Sequence, residues 1–347
     1  MELINEKDNN KINNILSNDA QLINDILKDN FQCDKEGRLV RILSEFSTVQ
    51  DCLRNEGIFF TVVIFGSSRA VSYETYESNR IKYENQLKEF NEKQKDNIPL
   101  SDTEIKQYEQ TKKDLDRLQK LKWSIKYYSQ ISELSKKLTL FFETQEGQEA
   151  VKNMSSQLPK THHLFKNKNP ETQESGEIKR SNKITVAVCT GGGPGFMEAA
   201  NKGSKEANGK SLGFSITLPF EKGANQYVDE NLSFKFHYFF TRKFWLVYLS
   251  LAFIIMPGGF GTLDELMEIL TLKQCKRFKR HVPIILFGKE FWTSILNFDM
   301  LVEYGLISKD DVDSLFITDS IEEAYECVIN FLKNSNPTTP KEVKDSS

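Results

Sequence analysis

Met256-Pro257-Gly258-Gly259-Phe260-Gly261-Thr262-Leu263-Asp264-Glu265 is the stretch from which the fold of this 347-residue chain can be read. The apolar run Ala252 to Met256 leads into it with the length and composition of a buried strand. Gly258, Gly259 and Gly261 put no Cβ between the backbone and a ligand. Leu263, Leu266, Met267 and Leu270 then recur at helical spacing. Strand, glycine turn and helix together aim backbone N–H groups at an anion, usually a phosphate. Glu265 falls in the first turn of that helix. A carboxylate there repels phosphate but suits a cation, or a substrate centre that becomes cationic. Thr262-Leu263-Asp264-Glu265 is equally a capping box, in which Glu265 satisfies only a backbone N–H. The pattern leaves both readings of Glu265 open, and gives Asp264 and Glu268 to a solvated face.

The same order of elements recurs upstream. Ile184 to Cys189 reads as a strand running into Thr190-Gly191-Gly192-Gly193-Pro194-Gly195-Phe196-Met197-Glu198. Pro194 suits the first turn of the helix that follows, and Asn208-Gly209 its end. Ile58 to Phe65 is the first strand. It ends in Gly66-Ser67-Ser68-Arg69, whose hydroxyls either donate to a ligand or cap a helix. Leu212 to Leu218, Val282 to Phe287 and Phe316-Ile317 add strands, Phe234 to Tyr248 one helix carrying Arg242-Lys243, and Ile321 to Leu332 a closing helix. Such alternation predicts an α/β fold, a doubly wound parallel sheet covered on both faces. Ligands of such sheets sit beyond the carboxyl ends of the strands, where both glycine turns fall. Neither turn carries a standard nucleotide fingerprint. Phe196 stands where GxGxxG requires its last glycine, and GxxxxGK[ST] occurs nowhere. The two turns therefore point to a phosphate-bearing ligand outside the dehydrogenase and P-loop classes. Arg242 lies among Phe239, Phe240, Phe244 and Trp245 and so needs a partner: a carboxylate, a phosphate or a residue at a subunit contact.

Around this unit the chain is polar. Residues 1–55 read as a partly helical extension, with weak spacing at Ile12, Leu16, Leu22, Ile23 and Leu27. Within the α/β unit at 56–333, residues 71–143 are a charged helical insert. Asn97-Ile98-Pro99 breaks it, the capping box Ser101-Asp102-Thr103-Glu104 restarts it, and Tyr108 to Leu138 carries one apolar stripe. The spacing predicts a helical hairpin, either packed on its own domain or offered to a partner. Residues 144–181 read as a mobile loop and 334–347 as a disordered tail. A net charge of −3 gives no basic field for nucleic acid. The five cysteines form no CxxC pair, which suits reduced thiols in the cytoplasm. The N-terminus lacks the apolar core of a signal peptide, and the apolar run Phe244 to Met256 is too short for a bilayer. His162, His163, His237 and His281 have no ligand spacing, so no metal is expected.

Three segments together resemble the LONELY GUY family, long labelled "possible lysine decarboxylase". They are Gly-Gly-Gly-Pro-Gly-Phe-Met-Glu-Ala-Ala-Asn at 191–201, Tyr-Phe-Phe-Thr-Arg-Lys-Phe at 238–244 and Pro-Gly-Gly-Phe-Gly-Thr-Leu-Asp-Glu at 257–265. The resemblance covers roughly 57–333 and is closest to a longer subgroup with a helical insert after the first strand. It implies a Rossmann-like sheet, a homodimer or higher homo-oligomer, no cofactor, and hydrolysis of the N-glycosidic bond of nucleoside 5′-monophosphates. In plant members the substrates are cytokinin riboside monophosphates. It implies Arg242 and Glu265 as the catalytic pair. Substrate and phosphate would fall to Gly66, Ser67, Ser68, Gly192, Gly193, Gly195, Glu198, Lys243, Gly258, Gly259, Gly261 and Thr262. Glu198 departs from the short plant type, which is glycine-rich there, and leaves base preference between a cytokinin and plain adenine open. Two other readings stand beside this one: a pyridoxal phosphate decarboxylase using Lys202 or Lys243, and a non-catalytic carrier of a phosphorylated cofactor or nucleotide.

Overall fold

The computed structural model describes residues 37–96, 101–156, 184–217, 223–277 and 282–334. The expectations for residues 1–36, the break at Asn97-Ile98-Pro99, His162, His163, His281, the loop from 157 to 183 and the tail from 335 onward lie outside the described residues. The chain divides into two compact units, Met1–Cys52 and Leu53–Ser347. In the first, the described residues form helix α1, Arg38–Asn55, whose last turn enters the second.

The second unit is built on seven strands: β1 Ile58–Phe65, β2 Thr185–Thr190, β3 Ser211–Ile216, β4 Ser233–Phe236, β5 Ser250–Ile255, β6 Ile284–Phe287 and β7 Leu315–Thr318. Their order in the sheet is β4-β3-β2-β1-β5-β6-β7, and every pairing is parallel. A parallel sheet buries both faces, so its strands are apolar throughout rather than alternating. Ser250–Ile255 is buried at every residue, as is Ile284–Phe287. The α/β class and the doubly wound parallel sheet expected from the sequence are thus what the chain forms. The order reverses between β1 and β5, the switch point at which a crevice opens beyond the strand ends.

The segment Phe234 to Tyr248, expected as one helix, divides. Its first residues complete β4, and helix α7 begins only at Phe239 and runs to Tyr248. Phe214 meets Phe234 and Phe236 at ring-centroid distances of 5.6 and 5.4 Å, so cross-strand aromatic packing draws this piece into the sheet. In the insert, the single long stripe is broken by a turn at 121–123. α2 Tyr73–Lys95 and α3 Asp102–Lys120 form the hairpin, and α4 Ser124–Glu143 is a separate element. The capping box at Ser101 and Glu104 is present as expected. α4 is no appendage. Ile131, Leu134 and Leu138 have no exposed surface, and they join the main core with Val62, Ile64, Ala199 and Ala200. Burial of each such side chain is worth about 1.5–3 kcal/mol. The stretch expected as a loop from 144 begins as helix α5, Gln145–Ser156, anchored by the buried Val151 and Met154. Its polar surface hides an apolar pair at three-residue spacing, too short a signal to stand out.

Candidate active site

Three turns close the carboxyl ends of the adjacent strands β2, β1 and β5. Backbone hydrogen bonds stitch them together: Ser67 N donates to Pro257 O at 3.0 Å, Phe196 N to Ser67 O at 3.1 Å, and Met256 N to Phe65 O at 2.8 Å. Gly66, Ser67 and Ser68 therefore lie against both glycine turns. Gly195 caps α6, Phe196–Glu206, in the left-handed region at φ 74°. A Cβ there would sit 2.3 Å from Ser67 O, so only glycine permits this approach. Pro194 precedes the cap rather than entering the helix, correcting the expectation of a first-turn proline. At the other end Asn208, φ 55°, takes the left-handed position, and Gly209 N donates to Ser204 O at 2.9 Å, as Asn208-Gly209 led one to expect.

A buried polar network shapes the 191–195 turn, and sequence reasoning missed it. Thr190 Oγ1 donates to Asn201 Oδ1 at 2.7 Å and accepts from Gly192 N at 2.9 Å. Asn225 Nδ2 donates to the carbonyls of Gly192 and Gly193 at 3.1 and 3.0 Å. Thr190 and Asn201 are wholly buried, so these bonds are made in a dry interior where a lost partner is costly. An asparagine on the apolar face of α6, beside Ala199 and Ala200, was the available signal.

The third turn enters helix α8, Phe260–Gln274, capped by Gly259 without a side-chain hydrogen bond. A Cβ on Gly258 would fall 2.1 Å from Thr262 Oγ1, so Gly258 is required by packing. Gly259 and Gly261 behave differently: an added Cβ would meet nothing within 4 Å. They are exposed and leave the N-terminus of α8 open to a ligand.

Since α8 starts at Phe260, Thr262 lies inside it and Glu265 in its second turn, not the first. The capping-box reading fails. Glu265 is 3% exposed, and its Oε1 accepts from Arg242 Nη2 of α7 at 2.7 Å. Arg242 Nη1 faces the other glycine turn, 3.8 Å from where a Cβ on Gly191 would lie. Its guanidinium also stacks over Phe239, 5.5 Å from the ring centroid. Arg242 Nε is buried without a hydrogen bond among the described residues. Burial pushes the Glu265 carboxyl above the ordinary glutamate range, and the charges of Arg242 and Lys243 pull back against it. The pair thus brings a buried carboxyl group and a planar guanidinium together beside one glycine turn and on the helix that follows the other.

Lys243 points to a different partner set. Its Nζ bridges Asp264 Oδ2 at 2.9 Å and Glu268 Oε2 at 2.8 Å. Asp264 is exposed, as expected for a solvated face, and Glu268 is half-buried; both are ion-paired with Lys243. Glu198 lies in the first turn of α6, where Gln226 Nε2 reaches its Oε1 at 3.5 Å. No cluster of three metal-ligating side chains occurs among the described residues, nor any helix long and apolar enough to cross a membrane.

Residues 197–328 match the family model described as "Possible lysine decarboxylase". The match holds Arg242 and Glu265 and stops short of Gly66 and Gly192. Three curated relatives are similar over shorter stretches. The probable cytokinin riboside 5′-monophosphate phosphoribohydrolase LOGL3 of Oryza sativa subsp. japonica is 42% identical over 69 residues, 19% of this chain and 32% of the relative. The cytokinin riboside 5′-monophosphate phosphoribohydrolase LOG of the same organism is 42% identical over 60 residues, 17% of this chain and 24% of the relative. LOG1 of Arabidopsis thaliana is 44% identical over 59 residues, 16% of this chain and 27% of the relative. The chain thus spans at most 32% of the length of the curated relatives it matches. A crystal structure titled TM1055, a structural genomics target, is 24% identical and covers 42% of this chain and 78% of that one, with a TM-score of 0.28. At that score it carries no argument, and the fold rests on the strand order itself. The names of these relatives are those of hydrolases.

The decarboxylase label does not suit Lys243 or Lys202. A Schiff-base lysine must give up its proton in a desolvated, unpaired setting. Burial works against the charge of Lys243, but its ion pairs with Glu268 and Asp264 hold the ammonium above the ordinary lysine range. Lys202 is half-buried and paired with Glu206 at 3.9 Å.

Proposed function

We propose that this protein hydrolyses the N-glycosidic bond of nucleoside 5′-monophosphates to free base and ribose 5-phosphate. The observation that carries this reading is the buried Arg242–Glu265 pair, set beside the 191–195 glycine turn and on the helix that the 257–261 turn opens. The family match and the names of the curated relatives support it. In the reaction, the C1′–N bond breaks with its electron pair leaving on the base, and positive charge builds on the sugar. Glu265 stabilises that charge and orients the water that adds to C1′; the proton released from water ends on the departing base or in solvent. Arg242 holds Glu265 ionised and aims it. The open N-terminus of α8, at Gly259 and Gly261, takes the 5′-phosphate, with Gly192, Gly193 and Thr262 around it. Binding energy at the phosphate thereby positions the distant reacting carbon. Phe239 and Phe240 of α7, each about half exposed, and the exposed Phe260 of α8 are aromatic side chains that a homodimer would cover. The test is incubation with AMP and with isopentenyladenosine monophosphate, followed by chromatographic measurement of released base. Release of either supports the reading, and their ratio sets base preference. Absence of release from any nucleoside monophosphate, with binding retained, would overturn it in favour of a carrier.

A further inference from the structure

Lys243 was expected at the phosphate, yet its ammonium is fully engaged with α8. Asp264 and Glu268 are one helical turn apart and flank Glu265 in sequence. The Lys243 side chain is only 17% exposed, so its two ion pairs are partly shielded from solvent. Arg242 and Lys243 are consecutive on α7, and both reach α8, one to Glu265 and the other to the residues around it. Around Glu265 stand two cations, Arg242 and Lys243, and two anions, Asp264 and Glu268; these are the charged groups acting on it. The charges balance only while Lys243 is present. Without it, Glu265 faces two carboxylates with one guanidinium.

We propose that Lys243 is a positioning residue for the reaction: by bridging Asp264 and Glu268 it locks α7 to α8, sets Glu265 against Arg242, and supplies the second positive charge that Glu265 faces. This rests on the proposed hydrolysis, but it makes a claim about Glu265 that can be read without turnover. The direction follows from Coulomb's law. Removing the lysine charge makes Glu265 harder to ionise, so activity that needs the carboxylate is lost at higher pH as the solution is acidified.

The experiment compares wild type with Lys243→Met, Lys243→Arg and the triple variant Lys243→Met, Asp264→Asn, Glu268→Gln. Two readouts are taken: the pH profile of kcat/KM for AMP, and the titration of Glu265 followed by NMR of carboxyl-labelled glutamate, assigned with Glu265→Gln. In Lys243→Met the acid limb and the Glu265 titration should both move up by about one pH unit. Lys243→Arg should stay near wild type, and the triple variant should return most of the way, because it removes the excess negative charge together with the lysine. If Lys243→Met instead raises KM with the Glu265 titration unmoved, Lys243 contacts the nucleotide directly and the proposal is wrong. A triple variant as displaced as Lys243→Met would overturn the claim that Lys243 acts on Glu265 through its charge, leaving only the mechanical tether. If no variant or wild type turns over AMP or any other nucleoside monophosphate, the hydrolysis reading fails separately, and the NMR titration still decides the claim about Lys243.

Discussion

Arg242 and Glu265 are each other's principal partner, and neither would be tolerated alone in so dry a place. Removing one member of a buried ion pair typically costs about 3–5 kcal/mol, because the survivor keeps its desolvation penalty. Arg242→Met should therefore lower stability by about 3 kcal/mol at neutral pH in urea denaturation. The cost should shrink as pH falls. A carboxyl whose folded value is raised above its unfolded one binds more protons when folded, so stability rises as pH drops through that window. The double variant Arg242→Met, Glu265→Gln should regain part of the loss. A loss that stays the same at pH 5 and pH 8 would show that Glu265 is not the charge left behind. In the sequence both residues stood out, Arg242 as a charge among aromatics and Glu265 after a glycine turn. What the sequence could not decide was whether Glu265 capped its own helix or reached another. That depended on where α8 begins: with its start at Phe260, Thr262 is too far inside to cap. The partners of Lys243 were equally hidden, since Asp264 and Glu268 lie 21 and 25 positions further along the chain, on another helix.

At the level of elements, the glycines of the three turns divide into those the fold needs and those it does not. Gly195→Ala forces a left-handed residue into contact with Ser67 O, and should cost at least about 1–3 kcal/mol from backbone strain alone. Gly261→Ala meets open space within the first turn of α8. It should leave the melting temperature unchanged or slightly raised, since alanine favours a helix by about 1 kcal/mol over glycine. Its KM for a nucleoside monophosphate should nonetheless rise about tenfold or more, as a methyl group intrudes where the phosphate is expected. An unchanged KM would remove the N-terminus of α8 from the binding site. Strand–glycine–helix punctuation made all three turns legible. The short β4 was not, because Phe234, Phe236, Phe239 and Phe240 run together as one aromatic stretch, and only packing on Phe214 separates strand from helix.

For the whole molecule, the parallel sheet follows from the alternation of apolar runs and helices, which is why the α/β class was readable, whereas the strand order is seen only in the fold. The insert was readable as helical but not in its division of labour. α2 and α3 carry few buried side chains, Tyr76 and Leu118 among them, whereas α4 is part of the core. Replacing 84–113 with a short flexible linker should leave a folded protein with a cooperative melt. Leu134→Ala in α4 should cost about 2–5 kcal/mol. If excision of the hairpin unfolds the chain, α2 and α3 have a structural role that their exposed surfaces do not reveal. The central claim is that Glu265 performs glycosidic hydrolysis in a crevice that binds the phosphate independently. Its most direct test is to measure, on wild type and Glu265→Gln, both AMP binding by calorimetry and the release of adenine and ribose 5-phosphate. The account predicts equimolar release by wild type, and in the variant a loss of turnover of a hundredfold or more with affinity nearly kept. Turnover undiminished in Glu265→Gln would contradict it.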